Sequence, residues 1–291
     1  MDKLLFIINP IAGGGRAKDL IPFIIEKMKE NNIDYKIIQT TEPKEATLIV
    51  ENSKIPVVIA VGGDGTVNEV AKGIIKRGHG FLGIIPGGTG NDMCKSLGLS
   101  IDPILALETI IKGKTRKMDV GLANDICFLN ISSVGFDAEV VRNTDKIKSR
   151  IKGKTSYILG VLVTLLKYRM KETHIEIDGE QFNKKMLLLA VGNGQYYGGG
   201  MKILPDAKID DGFLHLCLVK DINNLKLLFL FPYIFKGDHL KYKKHIEIYK
   251  AKEILIKNKG DFYLNIDGDL IQTKDKVEFR ISPKKLDIIY E

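Results

Sequence analysis

The chain has 291 residues, 44% hydrophobic and 27% charged, the composition of a folded protein with a core large enough for two domains rather than of a disordered chain. A net charge of +8 and a pI near 9.1 suit nucleic acid, an anionic membrane or phosphorylated ligands, without choosing among them. No segment reaches the length needed to span a bilayer. The N-terminal apolar run is short and ends at Asn9-Pro10, so it reads as a first core strand and not as a signal segment.

The first part alternates strand and helix. Apolar runs at residues 4–8, 35–38, 57–61 and 82–85 read as parallel strands buried on both faces. Helical stretches fall at 17–31, 44–52, 67–77 and 91–97, and another at 103–112 follows an Asp-Pro start signal. This order means a three-layer α/β domain. After about Gly121 short alternating strands dominate: 126–132, 174–177, 186–191, 213–219, 246–249, 253–256, 261–266, 276–281 and 286–290. They predict an antiparallel sandwich or barrel, with helices inserted around 138–148 and 157–170. The domain division is drawn at 1–121 and 122–291, with the last strand free to return to the first domain. No long linker is visible, so the two domains are expected to meet along a cleft.

Three glycine-rich loops follow strands of the first domain. The first is Asn9-Pro10-Ile11-Ala12-Gly13-Gly14-Gly15-Arg16. The second is Gly62-Gly63-Asp64-Gly65-Thr66-Val67-Asn68-Glu69, and the third is Pro86-Gly87-Gly88-Thr89-Gly90-Asn91-Asp92. A buried strand, a glycine turn and a helix N-terminus bring backbone N–H groups up to a phosphate, and in open parallel sheets ligands bind at that edge. Asp64 is the only charged group on its turn, suited to holding Mg²⁺ or taking a proton from an acceptor hydroxyl. A plain βα turn, with Thr66 as N-cap and Glu69 closing a capping box, accounts for part of the motif but not for three glycines around an aspartate. Asp92 equally suits a helix dipole. Gly113-Lys114-Thr115 and Gly153-Lys154-Thr155 lack the leading glycine of a Walker A loop. Cys94, Cys127 and Cys217 form no paired motif and read as reduced thiols.

The later domain adds Gly192-Asn193-Gly194-Gln195-Tyr196-Tyr197-Gly198-Gly199-Gly200-Met201, then Pro205-Asp206-Ala207-Lys208-Ile209-Asp210-Asp211-Gly212-Phe213, then Asn265-Ile266-Asp267-Gly268-Asp269. The carboxylate turn is either an Asp-Gly turn or a small Mg²⁺ site of one carboxylate and backbone carbonyls. The last is a hairpin signal, of which Asp178-Gly179-Glu180 is a second copy. Two apolar segments, 157–166 and 225–235, are rimmed by lysines, and read either as core helices or as a surface that touches an anionic membrane.

In this order NPIAGGG, GGDGTVNEV, PGGTGND, the GFDAEV of residues 135–140, GNGQYYGGGM, PDAKIDDG and NIDGD resemble the successive motifs of the bacterial diacylglycerol kinase-like lipid kinases, relatives of the sphingosine and ceramide kinases. GGDGT alone is shared with NAD kinases. The resemblance covers nearly the whole chain. It implies an α/β nucleotide domain like those of NAD kinases and phosphofructokinases, a C-terminal β-sandwich, and an active site between them. It further implies ATP as donor, Mg²⁺, and a lipid hydroxyl as acceptor. Carried over by motif, the nucleotide lies against Asn9, Pro10, Ile11, Ala12, Gly13 and Thr41. It also lies against Gly63, Asp64, Gly65, Thr66, Val67, Asn68, Glu69 and Thr89. Asp64, Asp92 and Asp119 correspond to carboxylates that hold catalytic Mg²⁺ through water. A structural Mg²⁺ falls on Asp211 with the carbonyls of Lys208 and Phe213. The general base falls on Asp269, an aspartate where the family has glutamate, with Asp267 and Asp64 as rivals.

These expectations describe a cytoplasmic lipid kinase that visits the inner membrane face, most simply converting diacylglycerol to phosphatidic acid, with no nucleic-acid partner. The oligomeric state stays open, a homodimer among the options. Two rivals remain: an NAD kinase-like enzyme with a soluble acceptor, and a catalytically inactive lipid- or nucleotide-binding regulator.

Overall fold

The structure is a computed structural model that describes residues 3–148, 164, 168, 170–220 and 222–290. The chain forms two compact units, Met1–Val120 with Gly198–Gly200 and Ser282–Glu291, and Gly121–Tyr197 with Met201–Ile281.

The first unit is a sheet flanked by helices. Its strands are β1 (Leu4–Ile8), β2 (Tyr35–Gln39), β3 (Val57–Gly62), β4 (Phe81–Pro86), β5 (Thr115–Met118) and β15 (Leu286–Ile289), in the order β2-β1-β3-β4-β15-β5. Pairing is parallel except that β5 runs antiparallel to β15. The helices are α1 (Arg16–Asp19), α2 (Ile21–Glu30), α3 (Glu45–Glu51), α4 (Asp64–Arg77), α5 (Asp92–Leu97) and α6 (Pro103–Lys112). Every residue of β1 is buried, as expected of a parallel strand covered on both faces. The Asp-Pro start signal is realised: the Asp102 side chain accepts from the Ile104 N–H at 2.8 Å, with Pro103 in the first turn of α6.

Two local expectations change. Helix α4 starts at Asp64, not 67. Its N-cap is Gly63 and no side chain caps it. Thr66 lies inside the helix, buried over Gly62, and Glu69 accepts from the Lys44 N–H at 3.0 Å. The capping box is therefore absent: Thr66 already lies inside the helix, and Glu69 is drawn to the Lys44 N–H of another element.

The second unit is antiparallel. Its strands are β6 (Gly121–Ala123), β7 (Ile126–Phe128), β8 (Ile131–Gly135), β9 (Lys171–Ile177), β10 (Glu180–Gly192), β11 (Leu214–Lys220), β12 (Ile246–Ala251), β13 (Glu253–Ile266) and β14 (Asp269–Ile281). They pair in the order β12-β11-β10-β8-β13-β14-β6-β7, and β9 pairs with both β10 and β13. Helix α7 (Phe136–Lys148) follows β8, and α8 (Asn224–Leu230) leads into the 3-10 turns Phe231–Lys236 and Asp238–Lys241. The continuous apolar run of β10 serves two cores by alternation. Leu189 and Val191 join one cluster with Leu214, Leu216 and Leu218 of β11. Leu188 and Ala190 join the other with Cys217 and Val219.

Residues 126–132, expected as one strand, are two, because the Leu129 and Asn130 N–H groups turn to the Asp267 carboxylate. Residues 253–266, expected as two strands, are one, with a register irregularity between Lys257 and Asp261 where Gly260 has φ +79°. The expected helix over 157–170, with the apolar segment 157–166, lies for the most part outside the described residues. Among the described residues no helix is long and apolar enough to cross a membrane.

Candidate active site

The three glycine loops follow β1, β3 and β4, which are parallel and adjacent, so they share one edge of the sheet. They pack on one another through backbone. The Gly87 N–H donates to the Gly62 carbonyl at 2.8 Å. A Cβ on Gly13 would strike the carbonyl oxygen of Gly87, and one on Gly88 would strike Cα of Gly63. Gly13 also has φ +62°, a conformation that side chains other than glycine's rarely adopt. Arg16 clamps the assembly, its Nε donating to the Gly13 carbonyl at 3.0 Å and its Nη2 to the Gly88 carbonyl at 2.8 Å. Much of the glycine content thus serves loop-on-loop packing. Sequence reasoning placed Arg16 in the first loop without giving it this role. Its signal is position, since a cation in the first turn of a helix opposes the dipole and implies a tertiary partner.

The edge so built carries two neighbouring carboxylates. Asp64 Oδ1 accepts from the Met93 N–H at 2.9 Å. Asp92 is buried, bonded to the Gly199 N–H at 2.7 Å and paired with Lys95 at 3.2 Å. The Oδ2 atoms of Asp64 and Asp92 lie 2.7 and 3.7 Å from the point a Cβ on Gly90 would occupy. Burial lifts the Asp64 carboxyl above its usual range and the Asp92 charge adds to this, while the Met93 N–H opposes both. Two carboxylates facing one spot fit a Mg²⁺ ion that takes its remaining ligands from phosphate and water. Beside them Asn68 is buried, and its Oδ1 has no hydrogen-bond partner in the structure. A buried acceptor of this kind costs free energy until a donor meets it. Of the other expected nucleotide residues, Ile11, Thr41, Gly65 and Thr89 are exposed, and Thr66 and Val67 are buried. The Thr41 N–H and hydroxyl are both bonded to Glu45, at 2.6 and 3.1 Å.

Asp119 is not brought to this pair. It follows β5, which runs opposite to β15 and hence to β4, so it leaves the sheet where β4 begins and not where the glycine loops follow. It is fully buried and paired with Lys285 at 2.8 Å. Of the three carboxylates expected around Mg²⁺, the fold brings Asp64 and Asp92 together and holds Asp119 apart.

In the second unit the NIDGD hairpin separates its two aspartates. Asp267, with φ +48°, accepts from the N–H groups of Leu129, Asn130 and Ile131 at 2.6, 3.0 and 3.0 Å. Both of its oxygens are engaged, which makes it a clamp between strands. Asp269 is exposed at the start of β14. From the inner side Asn265 accepts from the Gly268 N–H at 2.9 Å and donates to Asp137 at 3.3 Å. Asp137 is buried and also accepts from the Ser133 hydroxyl. Burial raises its carboxyl, against the Ser133 and Asn265 bonds. Asp137 also lines an apolar cavity of about 70 Å³ with Phe136, Val140, Leu188, Met201 and Ile234. A larger open cleft of about 780 Å³ is bordered by charged groups such as Glu172, Lys257 and Asp261, and none of the expected site residues lines it.

At the carboxylate turn Asp211 Oδ2 lies 3.0 Å from the Lys250 ammonium and 3.2 Å from His215 Nε2. Its Oδ1 accepts from the Phe213 N–H at 3.1 Å, and the Lys208 N–H points to His215 at 3.5 Å. Burial would raise the Asp211 carboxyl, but Lys250 and His215 outweigh it and hold it below the usual range. Lysine supplies the positive charge here, so a cation on Asp211 and the Lys208 and Phe213 carbonyls would have to displace Lys250.

A parallel α/β unit with phosphate-type glycine loops and paired carboxylates, followed by an antiparallel β unit, defines the class: phosphotransferases with the NAD kinase-like fold. The chain belongs to the diacylglycerol kinase-like lipid kinases. Residues 3–123 match the diacylglycerol kinase catalytic domain. Residues 130–290 match the YegS C-terminal NAD kinase beta sandwich-like domain. A diacylglycerol kinase of Staphylococcus aureus (strain bovine RF122 / ET3-1) is 33% identical over 267 residues, 90% of this chain and 84% of that one. A crystal structure of a diacylglycerol kinase from Bacillus anthracis str. Sterne aligns with TM-score 0.77 at 26% identity, covering 100% of this chain and 97% of that one. An NAD kinase from Archaeoglobus fulgidus in complex with ATP shares the fold, with TM-score 0.54 at 12% identity over 100% and 94% of the two chains. The protein is a kinase that transfers a phosphoryl group to an alcohol acceptor.

Proposed function

We propose that the protein transfers the γ-phosphoryl group of ATP, with Mg²⁺, to the free hydroxyl of diacylglycerol, giving phosphatidic acid. The observation that carries the donor half is the Asp64–Asp92 pair facing one point beside the first turn of α4. There the helix N–H groups favour phosphate, and a divalent cation relieves the repulsion between the carboxylates. The acceptor half rests on the family and on the relatives' name. In this reading the loop residues Asn9–Gly13 and Thr89, with Thr41, border the nucleotide. Residues 63–69 meet the phosphates, and Asn68 Oδ1 accepts from a nucleotide hydroxyl or a bound water. Asp64 and Asp92 would hold Mg²⁺, which would supply positive charge against the phosphates. Asp269 takes the proton of the acceptor hydroxyl; Asp267, its oxygens committed to backbone, holds the turn.

The test is transfer from radiolabelled ATP to diacylglycerol vesicles by the purified protein, with the product identified by mass spectrometry. Labelled phosphatidic acid is expected with wild type and not with Asp64→Ala, whose melting temperature should stay near that of wild type. Near-normal turnover by Asp64→Ala would sink the assignment. Transfer to NAD, with none to any lipid, would replace it by the soluble-acceptor alternative.

A further inference from the structure

Helix α8 and the 3-10 turn after it are apolar on both faces. Leu227, Leu230, Phe231 and Ile234 point inward and line the 70 Å³ cavity that reaches Asp137. Leu228, Phe229, Tyr233 and Phe235 point outward and are 50%, 76%, 44% and 45% exposed. A helix apolar all round is ordinarily buried on all sides, and an outward face of this kind marks an interaction surface. Its surroundings select the partner. Lys226, Lys236, Lys243 and Lys244 are exposed around it, and the nearby Asp238 is already paired with Lys241 at 2.6 Å. An apolar face rimmed by ammonium groups complements an anionic bilayer.

We propose that α8 and its 3-10 extension dock on an anionic lipid bilayer and form the wall between that bilayer and the acyl-chain cavity. The proposal rests on the lipid-kinase reading. Cavity size supports a moving wall: about 70 Å³ is far below the roughly 300–1,000 Å³ of a ligand pocket. Admitting acyl chains therefore requires α8 to swing outward. Outward movement in water would expose Leu227 and Leu230 as well, whereas a bilayer covers both faces and removes that cost. From the wall the path leads inward to Asp137, then through Asn265 to Gly268 of the turn that carries Asp269. A lipid entering headgroup-first would carry its hydroxyl toward that turn while its chains stay in the cavity and the bilayer.

The experiment measures co-sedimentation with vesicles of phosphatidylcholine, with and without phosphatidylglycerol, for wild type, Phe229→Ser and Leu228→Ser/Phe229→Ser. Both side chains are exposed, so the melting temperature should hold. Wild type should bind the anionic vesicles more tightly than the neutral ones. Phe229→Ser should weaken binding about tenfold and the double variant more, with vesicle phosphorylation falling in parallel. Turnover of a short-chain, water-soluble diacylglycerol should be unchanged. Equal vesicle binding by the double variant and wild type overturns the docking surface, even where soluble diacylglycerol is phosphorylated. Binding that depends on Phe229, in a protein that phosphorylates neither lipid form, leaves the docking surface standing and removes the lipid-kinase reading.

Discussion

Gly65→Ala separates the two purposes a glycine can serve in the GGDGT loop. Gly13 and Gly88 are held by packing, so their replacement would damage fold and function together. Gly65 is different: it is exposed in the first turn of α4, has no positive φ, and an added Cβ would meet nothing within 4 Å. By helix propensity alone, alanine there should stabilise the protein by about 0.5–1 kcal/mol, which for a chain of this size is a rise in Tm of roughly 1–4 °C. If the glycine keeps space for a phosphate at the helix N-terminus, the same methyl group should raise the KM for ATP at least about tenfold, a loss of roughly 1.4 kcal/mol. Differential scanning fluorimetry without nucleotide reads the first effect, and steady-state kinetics against ATP reads the second. A raised Tm with an unchanged KM would refute the phosphate role of this turn. A lowered Tm would refute the conformational argument itself.

Gly88→Ala is expected to destabilise the protein by about 1–3 kcal/mol, because the new Cβ meets Cα of Gly63, backbone that cannot rotate away; urea unfolding measures this. At the NIDGD hairpin the two aspartates should respond oppositely. Asp267→Asn should cost roughly 2–3 kcal/mol of stability, since an amide cannot accept all three N–H bonds. Asp269→Asn should unfold like wild type and lose at least about a hundredfold in turnover. The pH dependence of stability should carry a mark of His239, which burial holds below the usual imidazole range. Between the unfolded value, about 6.5, and the lower folded value, only the unfolded chain takes the proton, so stability falls as pH drops through that window. The raised carboxyls of Asp64 and Asp137 act in the opposite sense, gaining stability as pH falls toward their own values. Urea unfolding of His239→Gln against wild type across pH 5–7 isolates the histidine, and identical profiles would count against its buried neutral state.

What the sequence disclosed follows from the range over which each signal acts. Parallel strands announced themselves through unbroken apolar runs, as in Leu4–Ile8, and the start of α6 through Asp102-Pro103. Both are local. The capping box at Thr66 and Glu69 looked equally local and failed, because α4 already begins at Asp64, ahead of Thr66, and the Lys44 N–H from another element engages Glu69. Asp119 shows the harder limit: its motif gives the residue, but its position depends on β5 running against β15, a partner some 170 residues later in the chain. The same holds for Asp267 and Asp269. Two residues apart in sequence, they sit in different surroundings: the loop after β7 donates N–H groups to Asp267, while Asp269 is exposed.

The Asp64–Asp92 pair makes sense only with a positive charge. Two carboxylates held near one point raise each other's energy, and burial deepens the cost for Asp64. A protein selected for stability alone would place an amide at one of the two positions. Lys95 offsets part of the Asp92 charge, and the Met93 N–H part of the Asp64 charge. The Met93 N–H meets Asp64 Oδ1, while Oδ2 is the oxygen that faces Gly90. The Asp211 turn shows the contrasting solution, where a lysine of the same fold meets the carboxylate directly. Under the proposed function, the spot by Gly90 that both carboxylates face, on the edge that carries the glycine loops, is where a cation arriving with the phosphates would add its charge.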